Sequence, residues 1–184
     1  VPKIFSLRLP TALASMLEHY QDYTIRSWQP DDRLAAAAVI KSALAEYGLG
    51  WEPDGADRDV LAVEEYYLDR EGEFWVIESQ GDIIGTSAYY PCLHQANLPP
   101  NRGNNAVEIR KMYLSPKVRG QGLGKYLLGA LERAIFARGY QEIWIETASI
   151  LAGAVKLYEA NGYLPATGVE TARCDRVYVK KLTS

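Results

Sequence analysis

A change of periodicity across a glycine-rich turn limits the folds open to this chain more than anything else in it. Before the turn, residues 106–114 alternate as a β-strand does, with Val107 and Ile109 on one face and Glu108 and Arg110 on the other. After it, Leu123, Leu127, Ala130, Leu131, Ala134 and Ile135 recur at steps of three and four residues, the mark of an amphipathic helix. Between the two stands Arg119-Gly120-Gln121-Gly122-Leu123-Gly124-Lys125. The first amides of a helix have no acceptor within it, and the helix dipole adds partial positive charge at that end. Glycines let the backbone take positive φ and come close to an anion. Each hydrogen bond to a charged group contributes roughly 1.5–3 kcal/mol, so several amides hold a pyrophosphate, with Arg119 and Lys125 adding charge at its edge. The competing reading is a tight turn that binds nothing. A Walker loop is excluded, because the four-residue spacer and the Lys-Ser/Thr pair are missing. The dinucleotide fingerprint also fails on glycine spacing, and Glu142 and Glu146 are poor matches to its ribose acid.

The rest of the chain alternates strand and helix patterns without a linker. Residues 23–28 read as a strand. Pro30, Asp31 and Asp32 open a helix that continues through Leu34, Ala37, Ala38, Leu44 and Tyr47 and stops at Gly48. A polar loop over 50–55 precedes a second helical segment over 57–70, closed by Gly72. Strands over 74–78 and 83–90 flank the hairpin signal Gln80-Gly81-Asp82. Residues 91–105 form a loop, 143–147 a strand, 151–160 a helix ended by Asn161-Gly162, and 176–182 a last strand. Residues 1–22 read as an extension carrying a short helix, with Thr11 as its cap and Leu13, Met16, Leu17 and Tyr20 on one side. The order predicts one mixed α/β domain over 23–184.

Composition removes several function classes. The net charge of −3 argues against a nucleic-acid binder. No run approaches the roughly 20 apolar residues that span a bilayer, and the first residues lack a signal-peptide core. Cys92 and Cys174 lack metal-ligand spacing and read as reduced thiols of a cytoplasmic protein. His19 and His94 have no ligand partners nearby in sequence, so no metal site is expected.

Two landmarks together resemble one family. Arg119-x-x-Gly122-x-Gly124 resembles the acyl-CoA-binding motif of the GNAT N-acetyltransferases, and Glu108-Ile-Arg-Lys-Met-Tyr-Leu-Ser-Pro116 resembles the family's fourth strand with its terminal proline. Ala154-Val-Lys-Leu-Tyr-Glu-Ala-Asn-Gly-Tyr163 resembles the second landmark, an Ala-x-x-Leu-Tyr-x-x-x-Gly-aromatic segment. The resemblance covers about residues 23–182. It implies a central mixed, mostly antiparallel sheet flanked by helices, in which the strands over 106–114 and 143–147 splay apart. Pantetheine of acetyl-CoA then lies in the gap against the backbone of Met112, Tyr113 and Leu114. Amides of Gly120, Gln121, Gly122, Leu123, Gly124 and Lys125, with Arg119 beside them, receive the pyrophosphate. One departure stands out: Leu151 occupies a place where the family often has Asn.

The resemblance also implies a reaction, acetylation of a primary amine. An alkyl ammonium of pKa about 10 must lose a proton before it attacks a thioester. Glu108 takes the position of the family's base; its alternative is a pairing with Arg110 or Lys111, or exposure to solvent. Tyr158 matches the tyrosine that protonates the leaving thiolate; its alternative is core packing on the face shared with Leu151, Ala154 and Val155. Tyr66, Tyr67, Tyr89 and Tyr90 read as packing. Glu46, Asp54, Asp57 and Asp59 read as a solvated acidic loop, with attraction of a cationic amine as the second reading. The expected partner is a small-molecule amine. Homodimers are common in the family. A non-catalytic acyl-CoA sensor of the same fold is the competing function.

Overall fold

The computed structural model describes residues 15–92 and 102–183. His94, Thr11 and Leu13 lie outside them. The strands are β1 (Leu17–Tyr20), β2 (Tyr23–Ser27), β3 (Glu73–Ser79), β4 (Asp82–Pro91), β5 (Ala106–Leu114), β6 (Glu142–Thr147), β7 (Leu164–Ala166) and β8 (Arg176–Lys181). The helices are α1 (Arg33–Ala45), the single turns α2 (Arg58–Leu61) and α3 (Val63–Tyr66), α4 (Leu123–Ala137) and α5 (Ala152–Ala160). The strands form one sheet in the order β1-β2-β3-β4-β5-β6-β8-β7. Every neighbouring pair is antiparallel except β5 and β6, which run parallel.

Both faces of the sheet are covered, and the alternation of β3 shows how. Trp75 and Ile77 point to one side, where they meet Leu123, Leu127, Leu131 and Ile135 of α4 and Tyr158 of α5. Phe74 and Val76 point to the other, where Ala36, Ile40 and Leu44 of α1 pack with Val60, Val63 and Tyr67. Burial of this apolar surface, at roughly 25 cal/mol per Å², drives the fold.

Three expectations are corrected. The described part of the expected N-terminal helix is a strand: Leu17–Tyr20 pairs with Tyr23–Arg26, which satisfies the β2 edge. In α1, Leu34 is 80% exposed while Ala36 and Ile40 are buried. The helix is alanine-rich on every side, so packing rather than pattern selects its buried face. The segment over 57–70 is broken at Ala62, whose φ of −136° and ψ of 52° leave the helical region, and again at Tyr67. Burial of Val60, Val63 and Tyr67 holds the pieces where helical continuity does not.

Candidate active site

The gap between β5 and β6 has a local cause. Pairing runs from Ala106 opposite Glu142 to Ile109 opposite Ile145 and stops there. On the other edge of β5, Thr86 faces Tyr113 but Ala88 faces Arg110, so an extra residue sits on β5. That bulge centres on Lys111, whose φ is +52°. Thr86 Oγ1 donates to the Lys111 carbonyl at 2.7 Å, and Lys111 Nζ donates to the Ala56 carbonyl and to Asp57 Oδ1, both at 2.7 Å. A bulge bends its strand and shifts side chains to the opposite face. Met112 and Leu114 thereby join the side that holds Val107 and Ile109, and Tyr113 joins the other.

The cavity that fills the gap has a volume of about 440 Å³. Met112, Tyr113 and Leu114 form one wall, Ile145 to Ala148 the other, and Tyr158 and Leu151 come from α5 and its start. Arg119, Gly120, Gly122, Gly124 and Lys125 close one end. The expected cofactor residues thus converge, except that the Gln121 and Leu123 side chains turn away. Leu123 is fully buried in the core, and Gln121 Oε1 accepts from the Tyr23 hydroxyl at 2.9 Å.

The turn has the geometry of an anion seat. Gly120 and Gly122 have φ of +75° and +83°, and Gly122 is the residue before the first turn of α4. The first bond into the helix runs from the Tyr126 amide to the Gly122 carbonyl at 3.0 Å, so the amides preceding it face outward. A Cβ on Gly122 would stand 2.6 Å from the Tyr20 hydroxyl. Arg119 is steered by protein groups: Nε donates to the Leu114 carbonyl at 2.9 Å, and the guanidinium grips Glu46 at 2.9 and 3.0 Å. Glu46 is thus solvent-exposed, as expected, and also anchors the turn.

Along the cavity wall and behind it lies a buried charge cluster that the sequence reading missed. Arg102, with a fully buried side chain, donates to Glu108 at 2.6 Å and to Glu146 at 2.9 Å, and stacks on Trp144. Glu108 is only 3% exposed. The expected alternative pairing with Lys111 is absent among the described residues, because the bulge turns Lys111 to Asp57 and Asp59 at 2.7 and 3.2 Å. Arg110 stands 3.8 Å from Glu108 and from Asp59. Asp57 and Asp59, expected in solvent, are 0% and 5% exposed, while Asp54 is exposed as expected. Arg173 closes the ring onto Asp57 at 2.6 and 2.7 Å and onto the Gly50 carbonyl at 3.1 Å. Burial raises the Asp57 pKa, but Arg173 and Lys111 outweigh it and hold the carboxyl at about 2. Among the described residues, four buried acids (Asp57, Asp59, Glu108, Glu146) thus meet four bases (Arg102, Arg110, Lys111, Arg173), with Glu170 facing them from the edge.

The aromatic residues divide. Tyr67, Tyr89 and Tyr90 are buried, with the Tyr67 hydroxyl on Asp59, while Tyr66 is half-buried under Arg70. Tyr158 is 5% exposed and packs near Tyr163 and Tyr178, so it serves the core as well as the cavity. Desolvation, with smaller effects of Tyr113 and Cys174, pushes its pKa well above the ordinary tyrosine value. Leu151 presents an apolar side chain to the cavity.

A sheet of this order, split beside a glycine turn at a helix end, is a fold shared with solved acetyltransferases. Residues 13–163 match the family described as Acetyltransferase (GNAT) family. The Escherichia coli K12 protein YjgM, named as an uncharacterized N-acetyltransferase, is 31% identical over 146 residues, spanning 78% of this chain and 83% of the relative. The mouse probable N-acetyltransferase family 8 member 5 is 31% identical over 105 residues, 57% of this chain and 44% of the relative, so the match spans less than half of that longer protein. A GNAT acetyltransferase from Staphylococcus aureus Mu50 superposes with a TM-score of 0.77 at 19% identity, covering 88% of this chain and 99% of its own. The Salmonella typhimurium protein yncA, solved with acetyl-CoA, gives a TM-score of 0.68 at 20% identity over 88% of this chain and 95% of its own. The chain belongs to the GNAT acetyltransferase family.

Proposed function

We propose that the chain transfers the acetyl group of acetyl-CoA to a primary amine of a small molecule by direct attack. The observation that carries this reading is the continuity of one cavity from the glycine turn, past the freed backbone of Met112 to Leu114, to Tyr158. Residues present fit the donor: outward amides and Lys125 suit the pyrophosphate, and an apolar gap suits the pantetheine arm.

Attack of the amine on the thioester carbonyl releases a thiolate. Tyr158, kept protonated at neutral pH by its burial, gives that thiolate a proton. Glu108 accepts the proton of the amine. The Glu108 side chain sits outside the cavity wall, fixed by Arg102, so its reach is through water. Cys92, buried, and Cys174, half-buried, are free thiols, which supports a reducing, cytoplasmic setting.

The test is CoA release from acetyl-CoA with a library of amines. Tyr158→Phe is expected to lower kcat by about 100-fold or more while acetyl-CoA affinity stays within about twofold. An unchanged rate removes the acid role from Tyr158. The Arg102 grip on Glu108 favours one competing reading, a sensor that binds acyl-CoA without turnover. Such a sensor is stabilised by acetyl-CoA but releases CoA with no amine.

A further inference from the structure

The charge cluster beside the thioester end of the cavity carries information about the acceptor. Among the described residues it mixes acids and bases rather than presenting one sign of charge. Its four cations are unlike one another. Arg102, Lys111 and Arg173 each hold a carboxylate at 2.6–2.7 Å. Arg110 does not: Asp59 and Glu108 both stand 3.8 Å from its Nε, and its short bond goes to a neutral group, the Tyr90 hydroxyl, at 3.2 Å. Its side chain keeps 24% of its surface exposed, and the residue lines the cavity two positions before Met112.

We propose that Arg110 receives the carboxylate of the acceptor, and that the acceptor class is free amino acids. This rests on the acetyl-transfer reading above. A guanidinium matches a carboxylate with two parallel hydrogen bonds. In an α-amino acid the amine lies one carbon from that carboxylate. A carboxylate seated on Arg110 therefore holds the amine on the side of Glu108, whose Oε1 is 3.8 Å from Arg110 Nε, within reach through water. A zwitterion also enters this mixed cluster without adding net charge. The guanidinium lies 5.9 Å from the Tyr90 ring centroid and donates to the Tyr90 hydroxyl, which helps to fix its position.

The experiment offers each common amino acid beside its carboxamide and its decarboxylated amine, with CoA release as the readout. The amino acid is expected to exceed both partners by about tenfold or more in kcat/KM. Arg110→Gln is expected to raise KM for the amino acid by about tenfold or more and to erase the preference, with acetyl-CoA affinity unchanged. Arg110→Lys keeps the charge but not the fork and recovers part of the loss. A shift in melting temperature on adding acetyl-CoA shows that each variant is folded. Carboxamides or simple amines turned over as well as amino acids overturn the proposal, as does a folded Arg110→Gln enzyme with an unaltered preference. CoA release from no amine of any class overturns acetyl transfer itself, which is a separable failure.

Discussion

Gly122 answers to two demands at once. Its φ of +83° is a conformation that side chains resist, and the Tyr20 hydroxyl occupies the space a Cβ would take. A non-glycine residue there costs about 1–3 kcal/mol in backbone strain, before Tyr20 is displaced. Gly122→Ala is therefore expected to lower the melting temperature and to weaken acetyl-CoA binding by about tenfold or more, read by calorimetry. Gly124 is different. Its added Cβ would meet Leu157 at 3.5 Å, an ordinary contact, so Gly124→Ala is the milder partner for comparison.

Among the elements, the hairpin of β1 and β2 does more than extend the sheet. The Tyr20 hydroxyl and Gln21 Nε2 reach the Gln121 carbonyl at 3.3 and 3.5 Å, and the Tyr23 hydroxyl donates to Gln121 Oε1 at 2.9 Å. Tyr20 also stacks on Tyr126 of α4 at 4.4 Å, and the Tyr126 hydroxyl donates to Glu18 at 2.9 Å. These contacts brace the turn from behind. A hydrogen bond of this kind contributes about 1 kcal/mol. Tyr23→Phe is thus expected to raise KM for acetyl-CoA about fivefold with kcat nearly unchanged. Equal losses in both constants would make the brace a matter of general stability.

For the whole molecule, Arg173 ties the segment after β7 to the loop before α2, through Asp57 and the Gly50 carbonyl. The group's pKa is about 2 in the folded state against an ordinary value of 3.8. Because the folded value is depressed, its contribution is complete above the unfolded pKa and is lost as pH falls from about 4 through 2. The shift corresponds to about 2 kcal/mol for this buried group. Denaturant midpoints at pH 6 and pH 3 measure the effect. Asp57→Asn is expected to be less stable at pH 6, because Lys111 and Arg173 lose their partner, and to fall less between the two values.

Periodicity alone determined β2 to β6, α4, α5, β8 and the glycine turn, because each obeys local rules of strand, helix and turn that act within about ten residues. The two landmarks also singled out Gly120 to Lys125, Met112 to Leu114 and Tyr158, and the fold brings all but the Gln121 and Leu123 side chains to one cavity. Only the tertiary structure decided the rest. The bulge at Lys111 depends on Thr86 and Asp57, distant in sequence, and strict alternation over 106–114 gives no hint of it. Arg102 lay in a segment read as loop, and its burial between Glu108 and Glu146 comes from three separate stretches of chain. Leu17–Tyr20 could satisfy a helical pattern as readily as a strand, and the free edge of β2 made the choice. Short-range regularity is written in the order of residues; the pairing of buried charges is settled only when distant segments compete for the same low-dielectric space.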